Sequence, residues 1–192
     1  MVVSETTLVL FDIRRLAERQ AREARVVVRR QLVVFKVGAE EFAVDILFTK
    51  EVIVPKEITP VPDTEEFVEG VMNLRGSLLP VIDLRKRLKA RATITQRDQR
   101  IVIASIDDRI VGLIVDGASE VIRVTDDMVE PAPDIISEMG AGYVEGIVNL
   151  KNRFITLIDL RKALSVDILS ELDSVIETLS RHRELPAPAS AG

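Results

Sequence analysis

The chain of 192 residues has no cysteine and no tryptophan, a single histidine, a single tyrosine and six phenylalanines. Without cysteine there is neither a disulfide framework nor thiolate chemistry, and one histidine cannot assemble a Cys/His metal cluster. No apolar run approaches the roughly 20 residues a membrane-spanning helix needs, and Met1 to Ser4 leads into Glu5 rather than into a basic stretch and an apolar signal core. The expectation is a cytoplasmic protein with no direct membrane insertion. Excess positive charge is missing too: 26 Lys and Arg face 31 Asp and Glu, a net charge of −5, so nothing pulls the chain toward phosphate backbones. With so few aromatics the core must be built from Val, Ile and Leu, which favours strands.

The standard catalytic signatures are also absent. There is no GxGxxG or GxxxxGK[ST] phosphate loop, no GxSxG, no HExxH and no CxxC. Asp107-Asp108, Asp126-Asp127 and Glu40-Glu41 are paired carboxylates by adjacency alone. Neighbours on a strand point to opposite faces, so these pairs do not converge on one substrate atom. We expect no enzyme, no catalytic residue, no metal and no cofactor.

What the chain does contain is a repeat. Residues 67 to 88, FVEGVMNLRGSLLPVIDLRKRL, align with residues 143 to 164, YVEGIVNLKNRFITLIDLRKAL, at eleven identities in 22 positions. Upstream of each copy, FAVDILFTKEVI (42 to 53) aligns more weakly with VGLIVDGASEVI (111 to 122), matching Glu51 with Glu120. Each unit begins with a hairpin. Phe42, Val44 and Ile46 alternate with Glu41, Ala43 and Asp45, predicting a strand with one face buried. Ile101 to Ile106 and Ile110 to Val115 flank Asp107-Asp108, and the returning strand, apolar on both faces, is expected to be covered on both sides. A second hairpin turns at Arg75-Gly76 and at Lys151-Asn152, where Gly and Asn tolerate positive φ. Asp83 and Asp159 precede Leu-Arg-Lys and are expected to cap a short helical turn that buries Leu88 or Leu164. Gly70 is read as structural, at a bulge or close approach, and Gly76 as the turn glycine.

Many short strands with regular turns, duplicated, predict a mainly β fold of two small antiparallel barrels, the first over about residues 32–90 and the second over about 98–165, with strand exchange between them allowed. Outside them, residues 1–31 form an extension with a helix from Asp12, IRRLAERQAREAR, and from Phe11 to Arg30 seven Arg meet Asp12, Glu18 and Glu23. Leu8, Phe11 and Leu16 are candidates to pack on the barrels. A C-terminal helix over 166–182 repeats Ile168, Leu172, Val175 or Ile176, and Leu179 on one face. His182 reads as a solvated residue beyond the helical face, before a flexible tail over 183–192.

The run VVFKVGAEEFAVDILFTKEV, then ITPVP (58 to 62), FVEGVMNLRGSLLPVIDLR, VGLIVDGASEVI, the Pro131 and Pro133 segment and YVEGIVNL, resembles the CheW family of chemotaxis coupling proteins in order and spacing over residues 31 to 165. The resemblance implies two intertwined SH3-like five-stranded antiparallel β-barrel subdomains and a scaffold function. It implies two partners, the cytoplasmic tip of methyl-accepting chemotaxis receptors and the regulatory domain of a CheA-type histidine kinase, in a receptor array. Carried over by motif position, the receptor-facing groove includes Thr49, Glu51, Val52 and Arg75. Apolar surface such as Ile53 and Val71 is implied for kinase docking. Other readings are an adaptor of a chemosensory-like pathway controlling pili or gliding, and a small-barrel nucleic-acid binder. The latter needs exposed aromatics and a basic stripe that this composition does not favour.

Overall fold

A computed structural model describes residues 29–90, 98–133, 142–150 and 152–184. The N-terminal helix, the residues from 185 onward and Lys151 lie outside the described residues.

Strand formation follows the Val/Ile-rich runs, and two-residue turns join them. β1 (Arg29–Val37) and β2 (Glu40–Asp45) pair antiparallel, as do β6 (Arg100–Ile106) and β7 (Arg109–Val115). β4 (Val68–Leu74) pairs with β5 (Ser77–Asp83), and β10 (Val144–Leu150) with β11 (Arg153–Ile158). Their corners use the left-handed backbone that such tight turns demand: Arg75 and Gly76 have φ of 55° and 94°, Asp107 and Asp108 47° and 66°, and Asn152 65°. β3 (Thr49–Ile53), β8 (Gly117–Thr125) and β9 (Val129–Pro131) complete the sheets. α1 (Leu84–Arg87) and α2 (Leu160–Ala163) follow β5 and β11, and α3 (Val166–Glu184) ends the described chain. α3 thus runs two residues past the expected end at His182.

The strands assemble into a six-stranded sheet ordered β8-β1-β2-β11-β10-β9 and a five-stranded sheet ordered β3-β6-β7-β5-β4. Each hairpin that opens a repeat has left its own unit. β1–β2 sits among strands of the second repeat, and β6–β7 among strands of the first. The exchange is reciprocal. The visiting hairpin joins its host in parallel, β2 beside β11 and β7 beside β5. The sheets are therefore mixed rather than antiparallel, and neither ladder closes edge to edge among the described residues. This corrects the expectation of antiparallel barrels: a hairpin arriving from the other repeat enters with the direction its own connection imposes.

Exchange also explains the core. A shared cluster holds Val33, Phe35, Phe42 and Val44 from one hairpin and Val102, Ala104, Val111 and Leu113 from the other, with Ile82, Ile158, Leu169 and Leu172. Two smaller clusters line the far faces of the sheets, around Val34, Ala43, Ile155 and Leu157 and around Met72, Val81, Ile101 and Ile103. β7 is accordingly covered on both sides, as its two apolar faces predict. The β2 expectation is corrected, because Ala43, on the supposed polar face, is fully buried beside Ile155 and Leu157. A small apolar residue among Glu41 and Asp45 conceals a second buried face.

Asp83 Oδ1 accepts hydrogen bonds from the backbone N–H of Arg85 at 2.8 Å and of Lys86 at 3.4 Å. Asp159 does the same for Arg161 and Lys162 at 2.9 and 3.4 Å. Gly70 sits at a register shift in β4 with φ of 135°, and a Cβ there would stand 2.1 Å from the Thr59 carbonyl oxygen. Its copy Gly146 lies at the matching shift in β10, where a Cβ would meet the Glu130 carbonyl oxygen at 2.6 Å.

Candidate functional site

The residues expected at the receptor-facing groove lie at one end of the five-stranded sheet. β3 is its edge strand and carries a register shift between Thr49 and Glu51. The β4–β5 turn projects beside it. Asn73 braces that turn, its Oδ1 accepting from the Gly76 N–H at 2.8 Å. From the turn Arg75 Nη2 donates to Glu51 Oε2 at 2.9 Å, while the Arg75 side chain stays 75% exposed. An ion pair so open to water contributes little stability. What it does is hold a guanidinium, whose donors suit carbonyls and carboxylates, at a fixed place on the surface.

The other expected residues distribute unevenly. Val52 is exposed at 39%, and Val54 beyond it at 67%. Alternation along β3 turns Val52 away from the side on which Glu51 meets Arg75. Thr49 is half-buried, and its Oγ1 has no hydrogen-bond partner among the described residues. Ile53 packs partly against the cluster of Met72 and Ile101. The surface role expected of Val71 is corrected: it is 4% exposed, and its N–H and C=O are both bonded to Thr59, at 2.9 and 2.8 Å. Within the set, Glu51 and Arg75 are joined by an ion pair.

Behind the ion pair runs a groove of about 430 Å³, lined by Leu78, Pro80, Ile110, Leu172 and Ile176 with Lys50, Glu51, Arg75 and Arg109 among its charged residues. α3 forms one wall, anchored by an ion pair between Arg109 and Asp173. An apolar floor with a charged rim can take an amphipathic helix or strand and fix its register by charge. Among the described residues no cluster of three or more metal-ligating side chains occurs, and no helix is long and apolar enough to cross a membrane.

Two arrangements were not visible from the sequence. Arg85 on α1 reaches Asp83 and Asp116, the latter at 3.2 Å and 2% exposed, and Asp116 also accepts from the Gly38 N–H at 2.6 Å. The network ties α1, the end of β7 and the β1–β2 turn. Hydrogen bonding to Asp83 raises the Arg85 pKa above its ordinary value against the opposing effect of burial. At the six-stranded sheet, Arg153 binds Glu41 at 2.8 Å and Glu120 at 2.7 Å. Its hydrogen bond lowers the Glu41 carboxyl below the usual glutamate value. The repeat aligns Glu120 with Glu51, but the arginine that meets Glu120 stands two positions beyond Lys151, the residue aligned with Arg75.

Comparison with known proteins now bears on the geometry. The family model of the CheW-like domain matches residues 31–167. The chain belongs to the CheW-like domain family. It is 30% identical over 151 residues to the chemotaxis protein CheW of Klebsiella aerogenes, covering 79% of this chain and 91% of that one. To the chemotaxis protein CheW of Bacillus subtilis it is 37% identical over 134 residues, covering 70% and 86%. The crystal structure of the scaffolding protein TtCheW from Thermoanaerobacter tengcongensis superposes with a TM-score of 0.67 at 36% identity, covering 73% of this chain and 96% of that one.

Proposed function

We propose that this protein is a non-enzymatic chemotaxis scaffold of the cytoplasm, coupling the cytoplasmic tip of methyl-accepting receptors to the regulatory domain of a CheA-type histidine kinase. The observation that carries the reading is the Glu51–Arg75 ion pair at the rim of the apolar groove, within the residues that the family model matches. The receptor contributes a helix. Its apolar stripe enters the groove, and Arg75 donates to polar groups along its edge. Thr49 and Glu51 shape the supporting strand, and Val52 extends the contact along its outer side. The kinase regulatory domain uses the neighbouring surface at Ile53, where exposed Val54 adds apolar area. In this reading each sheet is the body of an SH3-like small barrel, with its exchanged hairpin making the pair a single rigid adaptor.

The experiment is a pull-down with a receptor cytoplasmic fragment and with the kinase regulatory domain, comparing the wild type and Arg75→Glu. The wild type captures both. Arg75→Glu loses the receptor by more than about tenfold in affinity, as reversal of an interfacial charge does, and keeps the kinase. Capture of neither partner by the wild type removes the coupling function, and unchanged receptor capture by Arg75→Glu removes Arg75 from the interface.

A further inference from the structure

The duplication lets one half of the molecule report on the other. In the five-stranded sheet, Leu78 and Pro80 of β5 lie on the face of Ile82 and the shared core, and α3 covers that face with Leu172 and Ile176. The helix is set in place by the Arg109–Asp173 ion pair, from the first residue of β7 after its turn.

The six-stranded sheet keeps the apolar element without the cover. Phe154 stands opposite Asn149 as Leu78 stands opposite Asn73, and it is 68% exposed. Among the described residues no helix lies on it. A groove of about 470 Å³ runs beside it, lined by Lys36, Glu40 and Thr156 among others. Arg153, in the same wall, is already engaged by Glu41 and Glu120, so it stiffens the site rather than offering a free charge.

One charge is inverted between the copies. Glu40 opens β2 opposite Val37 as Arg109 opens β7 opposite Ile106. A helix seated on Phe154 as α3 sits on Leu78 therefore meets a carboxylate where α3 meets a guanidinium. A second copy's α3 would bring Asp173 against Glu40, like charge against like.

We propose that the Phe154 face of the six-stranded sheet docks an amphipathic helix of a partner protein, with an aliphatic stripe like that of α3 and a Lys or Arg where α3 has Asp173. Phe154 is the apolar anchor, filling the place between successive aliphatic residues of the helix, and Glu40 selects the basic residue. The site is separate from the Glu51–Arg75 groove and does not depend on which partners that groove takes.

The probe is a labelled 19-residue peptide with the sequence of α3 carrying D173R, compared with the unmodified α3 peptide, titrated into the full chain and followed by anisotropy and backbone amide shifts. The charge-reversed peptide binds saturably and shifts amides of residues 36–41 and 153–156. The unmodified peptide binds at least about tenfold more weakly. Phe154→Ser weakens the charge-reversed peptide by a further factor of about ten, and Glu40→Arg exchanges the preference between the two peptides. Because both side chains are exposed, unchanged amide spectra elsewhere confirm that the variants fold. The proposal is overturned if no saturable binding occurs, if shifts are confined to residues around Leu78 and Arg109, or if affinity ignores Phe154 and Glu40. It is equally overturned if sedimentation shows the chain pairing with itself through Phe154, since the occupant is then a second copy.

Discussion

Two short helices with nearly the same sequence, LRKR after β5 and LRKA after β11, place their arginines in opposite environments. Arg85 is held at 19% side-chain exposure between Asp83 and the fully buried Asp116, whereas Arg161 stands 59% exposed, paired with Asp107 at 3.0 Å and stacked over the Phe48 ring at 5.1 Å. The lesson is that duplication conserves backbone and caps, while the side chains become specialised by what the exchanged hairpin brings. β7 delivers Asp116 to α1. The visiting β1–β2 hairpin delivers no such carboxylate to α2.

Asp116→Ala is the sharpest way to break this comparison. It leaves the Gly38 N–H without its buried acceptor, strips Arg85 of one of the two buried carboxylates that hold it, and is expected to cost about 3 kcal/mol in urea unfolding. Asp107→Asn, which removes the charge paired with Arg161 and keeps a residue that tolerates the turn's positive φ, is expected to cost less than about 1 kcal/mol. Equal losses would show that exposure does not divide the two sites.

The bulge glycines are the next test. Gly70→Ala combines a positive-φ backbone with a Cβ driven into the Thr59 carbonyl and is expected to cost about 3 kcal/mol. Gly146→Ala faces a carbonyl on β9, a three-residue edge strand, and is expected to cost about half as much. Thermal unfolding of the two variants ranks them.

Charge exchange separates a structural from a recognition role for the Glu51–Arg75 pair. Combining Glu51→Arg with Arg75→Glu restores the internal ion pair, so the turn remains ordered. Receptor affinity nevertheless stays reduced by about tenfold, because the outward group is now a carboxylate. Full recovery would reduce Arg75 to a brace for the turn.

The smallest effect is in pH dependence. The Glu41 carboxyl is held below its ordinary value chiefly by its hydrogen bond from Arg153. A depressed carboxylate adds stability above its unfolded pKa and loses it as pH falls through the folded one. The stability difference between wild type and Arg153→Gln is thus complete at neutral pH and closes on acidification below the usual glutamate range. Urea midpoints measured across that range check it.

Much of the local architecture was legible because it depends on neighbours in the chain. Positive-φ turns at Arg75-Gly76 and Asn152, the register-shifting Gly70, and the side chains of Asp83 and Asp159 all act within a few residues. Val71 and Ala43 were misread because burial depends on what arrives from elsewhere: Thr59 bridges to one, and β11 packs beside the other. The Arg75 position came from family resemblance, and its ion pair with Glu51 required two separate strands to be brought together.

By itself, then, the amino-acid sequence determined the strands, their turns, the caps and the duplication, since each follows from side-chain periodicity and backbone preference over a short span. Only the tertiary structure decided that the hairpins are exchanged. The same exchange set Arg85 and Arg161 apart, and among the described residues α3 covers Leu78 while Phe154 stays exposed. Those outcomes rest on contacts between residues far apart in the chain, where two nearly identical sequences meet different neighbours.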